Sequence, residues 1–185
     1  MTSSLSTTKR AALGCVSVIV GSLALSAGAM AAPPALSPIT LPCATDASVQ
    51  VFGTGSPATA EGQTLVLARV TFAPGGSIGA HTHPGTLVVT VESGTLGFTL
   101  VDEGEMVIKR SGEPGTEVVD EPLTTGVETE LLPGDWFTEH GMVHSARAVG
   151  DEPAVVTLSG LITAGEPLTK CVDAGASPHA SPAHS

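Results

Sequence analysis

From residue 48 to residue 165 the chain repeats one pattern of short runs such as "SVQVFG", "TLVVTVESG" and "PAVVTLSGLITAG". Apolar residues in these runs alternate with polar or threonine residues, and glycine, proline or aspartate separates one run from the next. A period of two is typical of β-strands buried on one face, and the separating residues suit turns. No run shows the 3.6-residue period of a capped helix. The pattern therefore predicts an all-β domain over residues 48–165, built as an antiparallel sandwich or barrel.

The sequence before this domain has the features of a secretory signal peptide over residues 1–31. A basic pair, Lys9-Arg10, precedes the apolar segment "AALGCVSVIVGSLALSAG", and Ala29-Met30-Ala31 fits an A-x-A cleavage site. An uncleaved membrane anchor is the alternative, because the apolar segment is nearly long enough to span a bilayer. Residues 32–47 are a proline-rich lead-in, and residues 166–185 are predicted to be a tail, disordered beyond its single cysteine. We expect a secreted or periplasmic protein with one folded domain.

Charge and composition exclude several classes of partner. The chain has 18 acidic and 7 basic residues, and its only aromatic residues are four phenylalanines and one tryptophan. An acidic surface repels nucleic-acid phosphates and anionic lipid, and the small number of aromatic residues argues against stacking on bases. We expect no nucleic-acid partner and, after signal cleavage, no membrane partner. A small-molecule ligand or substrate is the expected partner, and a homodimer is left open.

Two cysteines survive signal cleavage, and they flank the strand-rich region. Cys43 precedes it and Cys171 follows it. In an oxidising compartment such a pair favours a disulfide over a metal or redox site. Closing so long a loop would stabilise the fold by up to about 4–5 kcal/mol through chain entropy. The predicted disulfide would join the two ends of the domain.

The candidate chemistry lies in three histidines. His81 and His83 are separated by one residue, so on a strand their side chains project from the same face. Two imidazoles placed in this way can share a metal ion at about 2.0–2.1 Å each. His144 lies in another strand-like run and is the third candidate ligand. Counting by twos from His83 gives Leu87, Val89 and Val91 as inward positions. These three residues and Phe98 are expected to line a pocket.

At this point the chain resembles the cupins, whose two motifs are G-x5-H-x-H-x3,4-E-x6-G and G-x5-P-x-G-x2-H-x3-N. The matching positions are Gly75, His81, His83 and Gly94 in the first motif, and Gly134, Gly141 and His144 in the second. The resemblance implies a single cupin-type jelly-roll β-barrel, or double-stranded β-helix. It also implies that the three histidines meet inside the barrel mouth and hold a divalent transition metal, with Fe, Mn, Ni and Zn as the candidates.

The chain departs from these motifs at the acidic ligand. The glutamate of the first motif falls at Leu87 or Val88, and the proline of the second falls at His140. Glu139 and His140 are the candidates for a fourth ligand. Glu139 is an odd number of positions from His144, so regular alternation would put it on the opposite face. Gly141, which lies between the two residues, can reset that alternation.

Two functions follow from this set of residues. The first is a secreted, metal-dependent oxygenase or lyase acting on a small anionic molecule, because three neutral imidazoles leave the charge of the ion uncompensated. The alternative is a non-catalytic module that binds a metal or a small ligand. This alternative is favoured by the lack of a general base other than Glu139 or His140.

Overall fold

The alternation in the sequence becomes a set of antiparallel strands in the computed structural model, which describes residues 39–112 and 118–173. Within these residues there is no helix, and therefore none long and apolar enough to cross a membrane. The strands are β1 (Ile39–Thr40), β2 (Ala44–Gly55), β3 (Gln63–Thr82), β4 (Gly85–Ser93), β5 (Thr95–Leu100), β6 (Val107–Arg110), β7 (Val119–Pro122), β8 (Glu128–Leu131), β9 (Trp136–Glu139), β10 (His144–Val149), β11 (Ala154–Thr163) and β12 (Lys170–Cys171).

The long strand β3 organises the sheet. Its first half pairs with β11 and with the body of β2, and its second half pairs with β10, β12 and the beginning of β2. Between the halves lies a bend at "PGG", where Gly75 adopts a φ of +72°. Glycine takes up this left-handed conformation without the steric cost that a side chain would add. The bend lets a single strand serve both halves of the curled sheet.

The strand order is that of a curled antiparallel sheet, β7-β6-β9-β4-β11-β3-β10-β5-β8, with β2 added to β3. All the pairings are antiparallel, and the chain folds as the jelly roll that the resemblance implies. The fold-class prediction is therefore confirmed.

One face of the sheet forms the core, as the alternation predicts. In β4 the residues Leu87, Val89 and Val91 are buried, whereas Val88 and Glu92 face outward. Glu92 pairs there with Arg69 on the surface. The interior is mostly aliphatic, and its largest fully buried apolar side chains are Phe72, Phe98, Leu87, Leu96, Leu100, Ile108, Leu131 and Val91.

The described strands extend beyond both ends of the predicted domain. Strand β2 begins at Ala44, within the predicted lead-in, and β12 lies within the predicted tail. Strand β7 pairs antiparallel with β6. The predicted signal peptide and the end of the predicted tail, residues 1–31 and 174–185, lie outside the described residues.

The predicted disulfide between Cys43 and Cys171 is formed, with the two Cα atoms 5.7 Å apart. It joins two segments, residues 41–44 and 168–172, which we call the clamp. Both segments are attached to the second half of β3. The N–H of Gly79 donates to the carbonyl of Cys43 at 2.9 Å, and the N–H of Val172 donates to the carbonyl of Ala80 at 2.8 Å. The clamp is therefore hydrogen-bonded to β3 close to the histidines at the end of that strand.

Candidate metal centre

Strand register brings the three histidines together. His81 near the end of β3 is the direct partner of His144, the first residue of β10. Directly opposed residues of an antiparallel pair have Cβ atoms about 4.5–5.5 Å apart and point to the same face. His83 is two residues further along and therefore also faces inward. Histidines from distant parts of the chain thus share one end of the barrel.

The three imidazoles form a buried cluster. One ring nitrogen from each lies within 4.8 Å of the others, which is close enough for one ion to recruit all three. The ring centroids are 4.3 Å apart for His81 and His144, and 5.0 Å apart for His81 and His83. Each residue is at most 8% exposed. The inward orientation of the H-x-H pair is as expected from alternation.

Backbone carbonyls fix the protonation of all three rings. The Nδ1–H groups of His81, His83 and His144 donate to the carbonyls of Gly79 (2.7 Å), Leu168 (2.6 Å) and Met142 (3.0 Å) respectively. A carbonyl oxygen can only accept, so each Nδ1 carries the proton and each Nε2 keeps its lone pair. Metal-binding histidines in proteins are usually oriented by the same kind of bond. The cluster is therefore organised to offer three neutral nitrogen donors.

Electrostatics also favours neutral rings. Burial lowers the pKa of His83 to about 4, although the hydrogen bond to the carbonyl of Leu168 acts in the opposite direction. Burial likewise lowers the pKa of His81, and it lowers that of His144 well below its usual range. Neutral imidazole is the form that binds metal, because protonation would occupy the lone pair.

Glu139 lies beside the cluster, fully buried, and not on the opposite face that regular alternation predicts. Its Oε2 is 3.3 Å from Nδ1 of His144, and its Oε1 is 3.9 Å from Nε2 of His83. The physical reason is the turn between β9 and β10, where Gly141 has a φ of +77° and resets the alternation. Burial raises the pKa of Glu139 to about 8. Within the described residues neither carboxyl oxygen has a hydrogen-bond partner.

His140, the other candidate for a fourth ligand, does not reach the cluster. It is exposed, and its Nδ1 lies 3.3 Å from the hydroxyl of Thr86 on the surface. Glu139 points inward at the end of β9, so the next side chain points outward. The structure therefore places His140 outside the cluster, whereas Glu139 lies beside it.

A cavity of about 40 Å³ lies against the three histidines, and its lining includes two of the residues proposed from the sequence, Phe98 and Val89. Leu87 and Val91, also predicted to line it, do not. The side chain of Leu87 packs over Gly160 of β11, and Val91 lies near the far end of β4. Sequence reasoning missed much of the lining, including Leu41 and Leu168 of the clamp. Such a cavity has room for an ion and a few water-sized groups.

The residues present fit a divalent transition metal. The donor set is three neutral imidazoles with a carboxyl group alongside, a combination suited to Zn, Fe, Mn or Ni. The apolar wall of the cavity includes Phe98, which stacks on His144 with centroids 4.9 Å apart. The histidine rings are oriented by the backbone carbonyls of Gly79, Leu168 and Met142. Every residue has such a carbonyl, so the residue types in the sequence do not predict these bonds.

Residues 50–165 match the Cupin family, and the chain belongs to that family. The solved structure of KdgF from Halomonas sp. is 19% identical, covers 62% of this chain and 79% of its own, with a TM-score of 0.39. The structure of the polyketide cyclase RemF from Streptomyces resistomycificus is 17% identical to this chain. The match covers 71% of this chain and 82% of RemF, with a TM-score of 0.44. The structure of a serine-to-alanine mutant of Bacillus subtilis oxalate decarboxylase OxdC is 18% identical to this chain. The match covers 74% of this chain and 30% of OxdC, with a TM-score of 0.46. A comparison with curated proteins gives no match.

Proposed function

We propose that this cupin is exported, that His81, His83 and His144 bind one divalent transition metal, and that the protein is a metal-dependent oxygenase or lyase. The observation that carries the metal site is the set of three Nδ1–H bonds to backbone carbonyls. Together these bonds leave three unprotonated nitrogens in one buried cluster. A bound ion would supply a Lewis acid or a redox centre.

The substrate class follows from charge and space. Neutral imidazoles do not compensate the charge of a divalent ion, so an anionic group is the natural further ligand. The adjoining cavity is small, at about 40 Å³, and among the described residues that line it the acid–base groups are the three histidines. We therefore infer a small anionic substrate, such as a carboxylate or thiolate, whose remaining part is apolar.

Location outside the cytoplasm belongs to the same proposal. The Cys43–Cys171 disulfide is typical of an oxidising compartment, and the predicted signal peptide would direct export there. The expected partner is a small molecule, not nucleic acid or a membrane. A homodimer stays a prediction, which light scattering on the purified mature chain would check.

The experiment is metal analysis of the purified mature chain after reconstitution with Fe, Mn, Ni or Zn. We expect one equivalent of one of these ions in the wild type and none in the His81→Ala variant. His140→Ala is the matched control, because that histidine is exposed and should leave occupancy unchanged. Full occupancy in His81→Ala would refute the ligand assignment.

The second candidate function is a non-catalytic module that binds a metal or a small ligand. It is favoured by the cavity lining, because the part of the chain that the structure describes supplies to that lining no acid or base beyond the histidines. Oxygen uptake and product analysis with small carboxylates and thiols separate the two functions. Turnover that depends on the metal supports the enzyme, whereas binding without conversion supports the module.

A further inference from the structure

Glu139 is a buried carboxyl group for which the three-histidine site does not account. It is completely shielded from solvent at the end of β9, and both its oxygens lack a hydrogen-bond donor in the described residues. Burying a carboxyl group without a partner is costly, so native proteins usually provide a donor, a cation or a metal. Within residues 39–112 and 118–173, no lysine or arginine forms an ion pair with it.

The groups that do face Glu139 are histidines of the cluster. Its two oxygens approach His83 Nε2 at 3.9 Å and His144 Nδ1 at 3.3 Å. The proton on His144 Nδ1 is directed to the carbonyl of Met142, so this contact is not a hydrogen bond. The carboxyl group therefore lies beside the cluster without accepting a hydrogen bond from it. A cation bound by the imidazoles would give the carboxyl group a partner of opposite charge.

We propose that Glu139 is the fourth protein ligand of the metal site, supplied by β9. The inference rests on the proposed function, because it requires that the histidines bind an ion. The carboxylate would lower the net charge of the loaded site from two to one and add an oxygen donor to three nitrogens. A site of this composition has a stronger preference for Mn or Fe than imidazoles alone provide.

Strand pairing explains how β9 can supply this ligand. Glu139 is the direct cross-strand partner of Leu87 in β4, and both side chains are fully buried. Leu87 is one of the two positions, 87 and 88, at which the first motif would place its glutamate. Opposed residues point to the same face with Cβ atoms about 4.5–5.5 Å apart, so a carboxylate from either strand reaches the same region. The acidic ligand has in effect been exchanged between two neighbouring strands.

The test is the dissociation constant for Mn²⁺ and Zn²⁺, measured by titration and, for Mn²⁺, by its electron paramagnetic resonance spectrum. Glu139→Gln keeps the shape and removes the charge, and we expect at least about tenfold weaker binding with a changed Mn²⁺ spectrum. Glu152→Gln is the matched control, because Glu152 is exposed in a turn. Circular dichroism of the metal-free variants checks that they are folded.

A second pair of variants makes the test independent of any single substitution. Glu139→Leu alone should bind weakly, and combining it with Leu87→Glu should restore affinity to within about threefold of the wild type, because the carboxylate returns from β4. Wild-type affinity in both Glu139→Gln and Glu139→Leu would overturn this inference and leave the three-histidine site intact. A wild-type chain that binds none of the metals would overturn the proposed function as well.

Discussion

Removing the Cys43–Cys171 disulfide tests how the clamp supports both the fold and the site. The two cysteines are 128 positions apart, and the bond restricts the unfolded chain to conformations in which they stay joined. For a loop of this length the chain-entropy argument gives about 5 kcal/mol at 25 °C. Because measured losses are often smaller, we expect the Cys43→Ser/Cys171→Ser double variant to lose about 3–5 kcal/mol of unfolding free energy.

The same variant should bind metal more weakly, because a backbone carbonyl of the clamp orients the imidazole of His83. Leu168, three residues before Cys171, provides the carbonyl that accepts the Nδ1–H of His83 at 2.6 Å. Once the disulfide is absent, this segment is still attached to β3 by the pairing of Lys170 with Thr82 and by the bond from Val172 to Ala80, and Leu168 still packs on the core. Losing an orienting bond of this kind weakens metal binding by about 10–100-fold in well-studied sites. We expect the lower end of that range, because the segment can still pair.

Urea unfolding followed by the fluorescence of Trp136, the single tryptophan, measures the stability of the metal-free protein. Metal titration of the folded protein gives the affinity. The wild type in reductant is the matched control and should behave like the double variant. A stability loss below about 1 kcal/mol would refute the entropy argument, and unchanged metal affinity would refute the role given to Leu168.

Two further pairs of substitutions, each a test and its control, probe the packing and the polar contacts around the sheet. Gly160→Ala in β11 would place a Cβ against the backbone of β4, so we expect a loss of about 1–3 kcal/mol in urea unfolding, whereas Gly53→Ala, with open space around it, should be nearly neutral. The buried carboxylate of Asp135 accepts hydrogen bonds from Arg110 at 2.7 Å and from two backbone N–H groups. Asp135→Asn removes its charge and should lower the free energy of unfolding by about 2 kcal/mol. Asp120→Asn, at an exposed ion pair, should cost less than about 1 kcal/mol. Equal effects of the members of either pair would contradict these assignments.

Local patterns were sufficient to predict the strands and the orientation of the H-x-H pair. The period of two gives the faces of His81 and His83 directly, and it also separates the buried Val89 from the exposed Val88. Bringing His144 to the same place requires the register between β3 and β10. Local patterns do not reveal that register. The expectation that His144 meets the other two histidines came from the resemblance to the cupins.

The features that local patterns miss depend on backbone conformation and on distant contacts. Glu139 faces the cluster because Gly141 takes a positive φ, which alternation can allow for but not require. Leu168 orients His83 through a backbone carbonyl, an atom that every residue has. Neither side-chain chemistry nor spacing distinguishes these positions before the chain is folded.

The polar cluster is hard to explain as a device for stability. Three imidazoles and a carboxyl group occupy a part of the core where aliphatic side chains would bury more apolar surface and need no partners. The three rings are satisfied on one side only, and Glu139 is not satisfied at all in the described residues. Proteins tolerate such local cost mainly at sites that bind or react. The unpaired polar groups of this cluster, more than the presence of histidines, therefore support a metal ion as its ligand.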